Sequence, residues 1–250
     1  MSSTWSSQRN SPFNTLRRFA GETTRLVERC ELCNVALAAQ HEHLIEVAGR
    51  KLVCACGACG MLFSRSALGE PFGTGAGAGA GESRRATEGK YRRVPRRIRY
   101  LPDFQLTDAQ WEGLLIPIEM AFFFRNTAAD KVVAMYPSPA GATESLLSLD
   151  VWDEIVEGNL ILREMEPDVE ALLVNRTRAG REQARAEYFL APIDECYSLV
   201  GLIRARWRGL SGGAEVWEEI ARYFDGLKAR AQTVQAPADG RGPTGGAVRA

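Results

Sequence analysis

The amino-acid sequence predicts an α+β protein: a small cysteine-rich module, a Gly/Ala linker, and a mainly antiparallel sheet domain with C-terminal helices. Three observations predict it. Five of the six cysteines and both histidines fall between Cys30 and Gly60. A run of alternating Gly and Ala follows, between Gly69 and Gly89. Beyond it, apolar runs read in the order strand, strand, helix, strand, strand, helix, helix.

Residues 1–26 are polar and Ser-rich at first, then carry Leu16, Phe19 and Leu26 near helical spacing interrupted by Gly21. They are expected to be disordered or weakly helical. Residues 27–66 form the Cys/His module, in which "HEHLIEVAGRKLVCAC" reads as two short strands around the turn "AGR". Residues 67–90 are a flexible linker, because alternating Gly and Ala cannot bury a core and lose much backbone entropy on ordering. The stretch is not a phosphate loop: no strand leads in, no apolar helix leads out, and no Lys-Ser/Thr follows.

Residues 91–231 are the larger domain. "GLLIPIEMAFFFRN" and "KVVAMYPSP" are strands joined by the hairpin loop "NTAAD". "SLDVWDEIVEGN" is a helix with Ser148 as N-cap and Gly158 near its end. "DVEALLVNR" and "AEYFLAP" are two more strands, with "TRAGREQARA" between them. The first closing helix starts at Pro192 and lines up Ile193, Cys196, Tyr197, Val200, Ile203 and Trp207 on one face. "GLSGG" breaks it, and a second helix aligns Val216, Trp217, Ile220, Tyr223, Phe224 and Leu227. Residues 232–250, rich in Gly and Pro, are expected to be a disordered tail.

Composition bounds the function. The chain has 250 residues and a formal net charge of zero, which excludes a uniformly basic nucleic-acid surface. No apolar run approaches the ~20 residues that cross a bilayer, and the opening residues have no signal-peptide pattern. The expectation is a cytoplasmic protein with no membrane partner. In that compartment clustered cysteines stay reduced and read as metal ligands or redox centres.

Cys30-x-x-Cys33 and Cys56-x-x-Cys59 then become the strongest signal in the chain. A Cys-x-x-Cys turn aims two thiolates at one cation, and two such turns supply four tetrahedral corners. Gly57 and Gly60 are expected to ease the second turn through positive φ. The ligand set suits a structural Zn2+ site in a zinc-ribbon module, or Fe in a rubredoxin-like one; a metal-free dithiol is the third reading. Cys54, His41 and His43 are surplus. One of them can replace a knuckle cysteine, or they can line a second, open site; each histidine can also be a plain exposed strand residue.

Other features read as structural. Five arginines between Arg92 and Arg99 form a solvated edge strand or, less well, an anionic-ligand patch. The loop Tyr136 to Ser145 is a structured connection or a ligand loop. With no histidine outside the metal window, a Ser-His triad at Ser138 or Ser145 is excluded. Cys196 reads as a core thiol. Asp103, Asp108, Glu119, Glu144, Asp150, Asp153, Asp168 and Asp194 show no acid/base pairing, so none is given a catalytic role.

Several phrases together carry a resemblance: "CELC", "HEHLIE", "CACGACGMLF", "YRRVP", "LPDFQLTDAQW", "IPIEMAFFFRN", "YPSPAGATES" and "PIDECYSLVGLIRARWRGLSGG". They resemble an actinobacterial domain-of-unknown-function family whose genes often sit beside those of an uptake nickel–iron hydrogenase. The likeness covers about Cys30 to Phe224 and includes Cys30, Cys33, His41, His43, Cys54, Cys56, Cys59 and the loop Tyr136 to Ser145. It implies an accessory role in hydrogenase assembly, cluster handling or electron transfer. The expected protein is therefore a non-catalytic, metal-binding accessory factor with a protein partner, a hydrogenase subunit or maturation factor. "AFFFRN", the arginine segment and the Tyr136 to Ser145 loop are candidate contacts. The alternatives are a rubredoxin-like iron electron carrier, a metallochaperone using Cys54, His41 and His43, and, last, a nucleic-acid regulator.

Overall fold

A computed structural model describes residues 27–64, 90–145, 151–177, 186–209 and 211–235. The expectations for residues 1–26, for nearly all of the linker, for Ser148 and for the end of the tail lie outside these residues.

Two sheets organise the chain. Strands β1 (Glu42–Glu46), β2 (Lys51–Ala55) and β3 (Tyr91–Arg93) form a small antiparallel sheet in the order β2-β1-β3. Helix α1 (Gly57–Phe63) follows β2. The second sheet has seven strands. They are β4 (Arg99–Tyr100), β5 (Met120–Asn126), β6 (Lys131–Ser138), β7 (Gly141–Glu144), β8 (Glu170–Asn175), β9 (Glu187–Pro192) and β10 (Gln232–Thr233). Their order is β10-β4-β9-β8-β5-β6-β7. Only β10 runs parallel to its neighbour β4; the other pairs are antiparallel.

Alternation along the central strands builds two cores. Phe122 and Phe124 point to one face of the large sheet, where Leu173, Phe189 and Ala191 meet helices α4 (Ile193–Arg206) and α5 (Ala214–Arg230). Ala121, Phe123, Leu172 and Leu190 point to the other. There they meet Trp111 of α2 (Asp108–Gly113) and Trp152 and Ile155 of α3 (Trp152–Gly158). Because both faces are covered, every residue of β8 and β9 is buried. Thr107 caps α2 with a full capping box, its hydroxyl accepting from the Gln110 N–H at 3.1 Å. Thr107→Ala is expected to cost about 1 kcal/mol, read as a lower urea midpoint with an unchanged slope.

The α+β class, the mainly antiparallel sheet and the closing helices are as the sequence predicts. Several details are corrected. The domain boundary at residue 91 is not a boundary: β3 lies beyond the linker yet pairs with β1, Ile45 opposite Arg92. The small module is not merely tethered, since Ile45 and Leu52 join the core cluster of the large sheet. The tail does not begin at 232, because Gln232 and Thr233 form β10, with the Gln232 N–H donating to the Ile98 carbonyl at 2.8 Å. The first closing helix begins at Ile193, with Pro192 as its cap. The Tyr136 to Ser145 segment, by contrast, is the structured connection expected: a tight hairpin, β6 to β7, whose Ser138 hydroxyl donates to the Gly141 carbonyl at 2.9 Å. Phe122, Phe123 and Phe124 are buried, so within "AFFFRN" only Arg125 is exposed.

The arginine segment also has a structural purpose. Arg93 and Arg96 pair with Glu42, Arg97 with Glu166 and Glu170, and Arg99 with Glu164 and Glu170. Arg92 donates to the Pro167 carbonyl at 2.9 Å and lies near Asp168. All five cations already face carboxylates, which argues against an anionic-ligand patch.

Candidate metal centre

The two Cys-x-x-Cys turns are built differently. In the first, Asn34 takes a left-handed conformation (φ 64°), and its N–H donates to the Cys30 carbonyl at 2.7 Å. Short asparagine tolerates that region better than most residues. Glu31 then ties the turn to β2: its carboxylate accepts from Lys51 Nζ at 2.6 Å and from the Cys54 N–H at 3.0 Å. In the second turn the strand ends at Ala55, and Cys56 becomes the N-cap of α1. Its sulfur accepts from the Cys59 N–H at 3.4 Å.

Neither Gly57 nor Gly60 has positive φ, so the expected reason for those glycines is corrected. Both sit inside α1. A Cβ on Gly60 would come within 3.3 Å of Glu42 Cβ, so that glycine serves the close approach of helix and strand.

The result is convergence. The sulfurs of Cys30, Cys33, Cys56 and Cys59 lie within 4.8 Å of one another. Cys33 and Cys56 are 3.7 Å apart, close to the ~3.8 Å edge of a tetrahedron with metal–sulfur bonds near ~2.3 Å. Cys30 and Cys59 are buried, and Cys33 is exposed. Burial opposes ionisation of Cys30, but N–H groups of Cys56, Cys33 and Leu32 donate to its sulfur and bring its thiol down to about 6. Burial pushes the Cys59 thiol well above its ordinary range. The group can hold one soft or borderline ion, and no position among the four is left for a substrate.

The surplus ligands form a separate group. Cys54 is opposite His43 in the β1–β2 register. His41, His43 and Cys54 present ligand atoms within 4.8 Å of one another. Neither histidine is a plain exposed strand residue. His41 Nδ1 lies 3.0 Å from the Ala38 carbonyl, and His43 Nδ1 lies 2.7 Å from Asp194 Oδ2. The Asp194 hydrogen bond raises the His43 pKa against the opposing effect of burial. Burial, helped by Glu28 and Glu31, raises the Cys54 thiol.

Asp194 is the residue that sequence reasoning missed. It stands 151 positions from His43, on the first turn of α4, and no local pattern joins the two. Cys196 is a core thiol, fully buried against the large sheet.

A family model matches residues 29–73 and 80–231, which takes in both ligand groups and nearly all of the large sheet. The chain belongs to that family, a family of unknown function (DUF5947). No curated protein and no solved structure matches the chain. Membership therefore brings no activity with it, and the residues carry the functional argument alone. Among the described residues no helix is long and apolar enough to cross a membrane.

Proposed function

We propose that this chain is a non-catalytic accessory protein in which Cys30, Cys33, Cys56 and Cys59 hold a structural zinc ion. One observation carries the reading: four sulfurs from two separate turns converge within 4.8 Å, with two of them buried. A closed tetrathiolate leaves no open coordination position for chemistry, so its work is to hold the module together. None of the six cysteines is in a disulfide, which leaves their sulfurs available to a metal.

The module then serves as a docking platform. Val35 lies beside the first turn and Met61 and Leu62 on α1, and all three side chains are exposed. Apolar side chains on metal-held turns suit a protein partner better than solvent. The family resemblance stated above makes a nickel–iron hydrogenase subunit or maturation factor the partner class.

The exposure of Cys33 favours one other reading, iron in the same four sulfurs and electron transfer to the partner through the surface sulfur. Elemental analysis of protein purified without added metal, with an absorption spectrum of the same sample, separates the two. One zinc per chain and no visible absorption is the expected result. Iron with a coloured spectrum supports the carrier, and neither metal overturns both. Affinity capture from cells making a nickel–iron hydrogenase tests the partner: a hydrogenase subunit or maturation factor should be recovered. Met61→Asp with Leu62→Asp should lower that recovery several-fold while zinc content stays the same.

A further inference from the structure

We propose that His41, His43 and Cys54 form a second, exchangeable site for a divalent first-row transition-metal ion, at the seam between the small sheet and the large domain. The proposal does not depend on which metal fills the four-cysteine group.

Strand geometry separates the two sites. Leu44, Val53 and Ala55 pack with Cys30 and Cys59 on one face of the small sheet. Side chains alternate, so His43, Ile45, Leu52 and Cys54 take the other face. Ile45 and Leu52 join the core cluster of the large sheet. His41, two residues before His43, is on the same side, its ring 4.7 Å from that of His43. Cys54 and Cys56 would share a face on a continued strand, but Cys56 leaves the strand to cap α1, and Cys54 stays with the histidines.

The histidines are held as metal ligands are held. A ligating imidazole usually donates its second N–H to a carboxylate or carbonyl, which fixes the tautomer and turns the other nitrogen to the ion. Here Asp194 accepts from His43 Nδ1 at 2.7 Å and the Ala38 carbonyl from His41 Nδ1 at 3.0 Å. Both Nε2 atoms are thereby assigned to the ion. His41 Nε2 is buried and has no hydrogen-bond partner among the described residues, and its side chain is only 7% exposed. An orphaned buried nitrogen costs free energy that a metal bond would recover.

Charge agrees as well. Two neutral imidazoles and one thiolate leave a divalent ion with one excess positive charge. Asp194 and Glu28, the latter 3.6 Å from His41 Nδ1, compensate it. Three protein ligands leave a fourth position for water or an external donor, the arrangement of exchangeable and catalytic sites. The mixed nitrogen and sulfur set favours zinc, cobalt, nickel or copper over magnesium, calcium or manganese.

Co2+ is the probe, added to full-length protein whose zinc content has been measured first. The wild type should take up one further equivalent, with tetrahedral d–d bands and a thiolate-to-cobalt charge-transfer band. Cys54→Ala should lose that equivalent and the charge-transfer band while keeping its zinc. Asp194→Asn should keep the spectrum but bind about 10- to 100-fold more weakly, as expected when an outer-shell carboxylate is removed. Failure of the wild type to bind more cobalt, or uptake unchanged in Cys54→Ala, overturns the second site. Because zinc is measured before cobalt is added, neither result bears on the four-cysteine group.

Discussion

Removing the metal from the four-cysteine group, or replacing Cys59 by serine, is expected to unfold residues 27–64 and leave the seven-stranded sheet standing. The segment's own core cluster is Cys30, Leu44, Val53, Ala55 and Cys59, while its buried Ile45 belongs to the core of the large sheet. Two of those five are ligands, so only Leu44 and Val53 bring sizeable aliphatic side chains. Each contributes roughly 1.5–3 kcal/mol on burial, far too little to order both turns, two strands and α1. A structural zinc supplies on the order of 10 kcal/mol or more, and does so only in the folded state. Cys59 is buried, and serine there brings a poor zinc ligand and an unpaired hydroxyl. Hydrogen exchange gives the readout. The amides of Leu44 and Val53 should lose protection after chelation, while those of Phe122 and Leu173 keep most of theirs. The large domain should weaken modestly, because Ile45 and Leu52 leave the edge of its core and Tyr91–Arg93 loses its partner strand. Unchanged protection at Leu44 would mean that the metal is not what holds the module.

The sequence reading succeeded where a signal is local. Cys-x-x-Cys spacing is a property of one turn, so all four convergent cysteines were legible. The same holds for β5, β6, β8 and β9, which are long and apolar, and for α4 and α5, whose apolar faces repeat at helical spacing. Strands β4 and β10 span two residues each and are fixed by their neighbours, so no pattern marks them. β3 is charged because it is an edge strand whose Arg93 faces Glu42 and whose Arg92 lies near Asp168. Its return across the linker to pair with β1 is a long-range event that composition cannot report. Asp194 was invisible for the same reason: its role exists only because the small sheet docks on the start of α4.

Glu170→Ala is expected to destabilise the large domain by about 3–5 kcal/mol, the range for breaking a buried ion pair from one side. Glu170 is fully buried in β8, and its carboxylate gathers four donors. Arg97 Nε and Nη2 reach it at 2.8 and 3.1 Å, Arg99 Nη2 at 3.3 Å, and the Glu166 N–H at 2.9 Å. Among the described residues, alanine would leave the Arg99 guanidinium buried, its Nε already without a partner and only the exposed Glu164 to balance it. Arg97 is about half exposed and can turn to water, so Arg99 sets the size of the effect. Urea unfolding followed by tryptophan fluorescence measures it, and the double variant Arg99→Met with Glu170→Leu distinguishes the cause. If the uncompensated charge is responsible, the double variant should recover most of the loss, since a well-packed apolar pair is often as stable as the ion pair it replaces. If the single variant costs less than about 1 kcal/mol, water reaches Arg99 and the clamp is a surface feature. The consequence extends to the seam. Glu170 stands opposite Pro192 in the β8–β9 register, two residues before Asp194. The clamp that holds β4 and β8 together therefore also fixes the start of α4, which carries the carboxylate that orients His43.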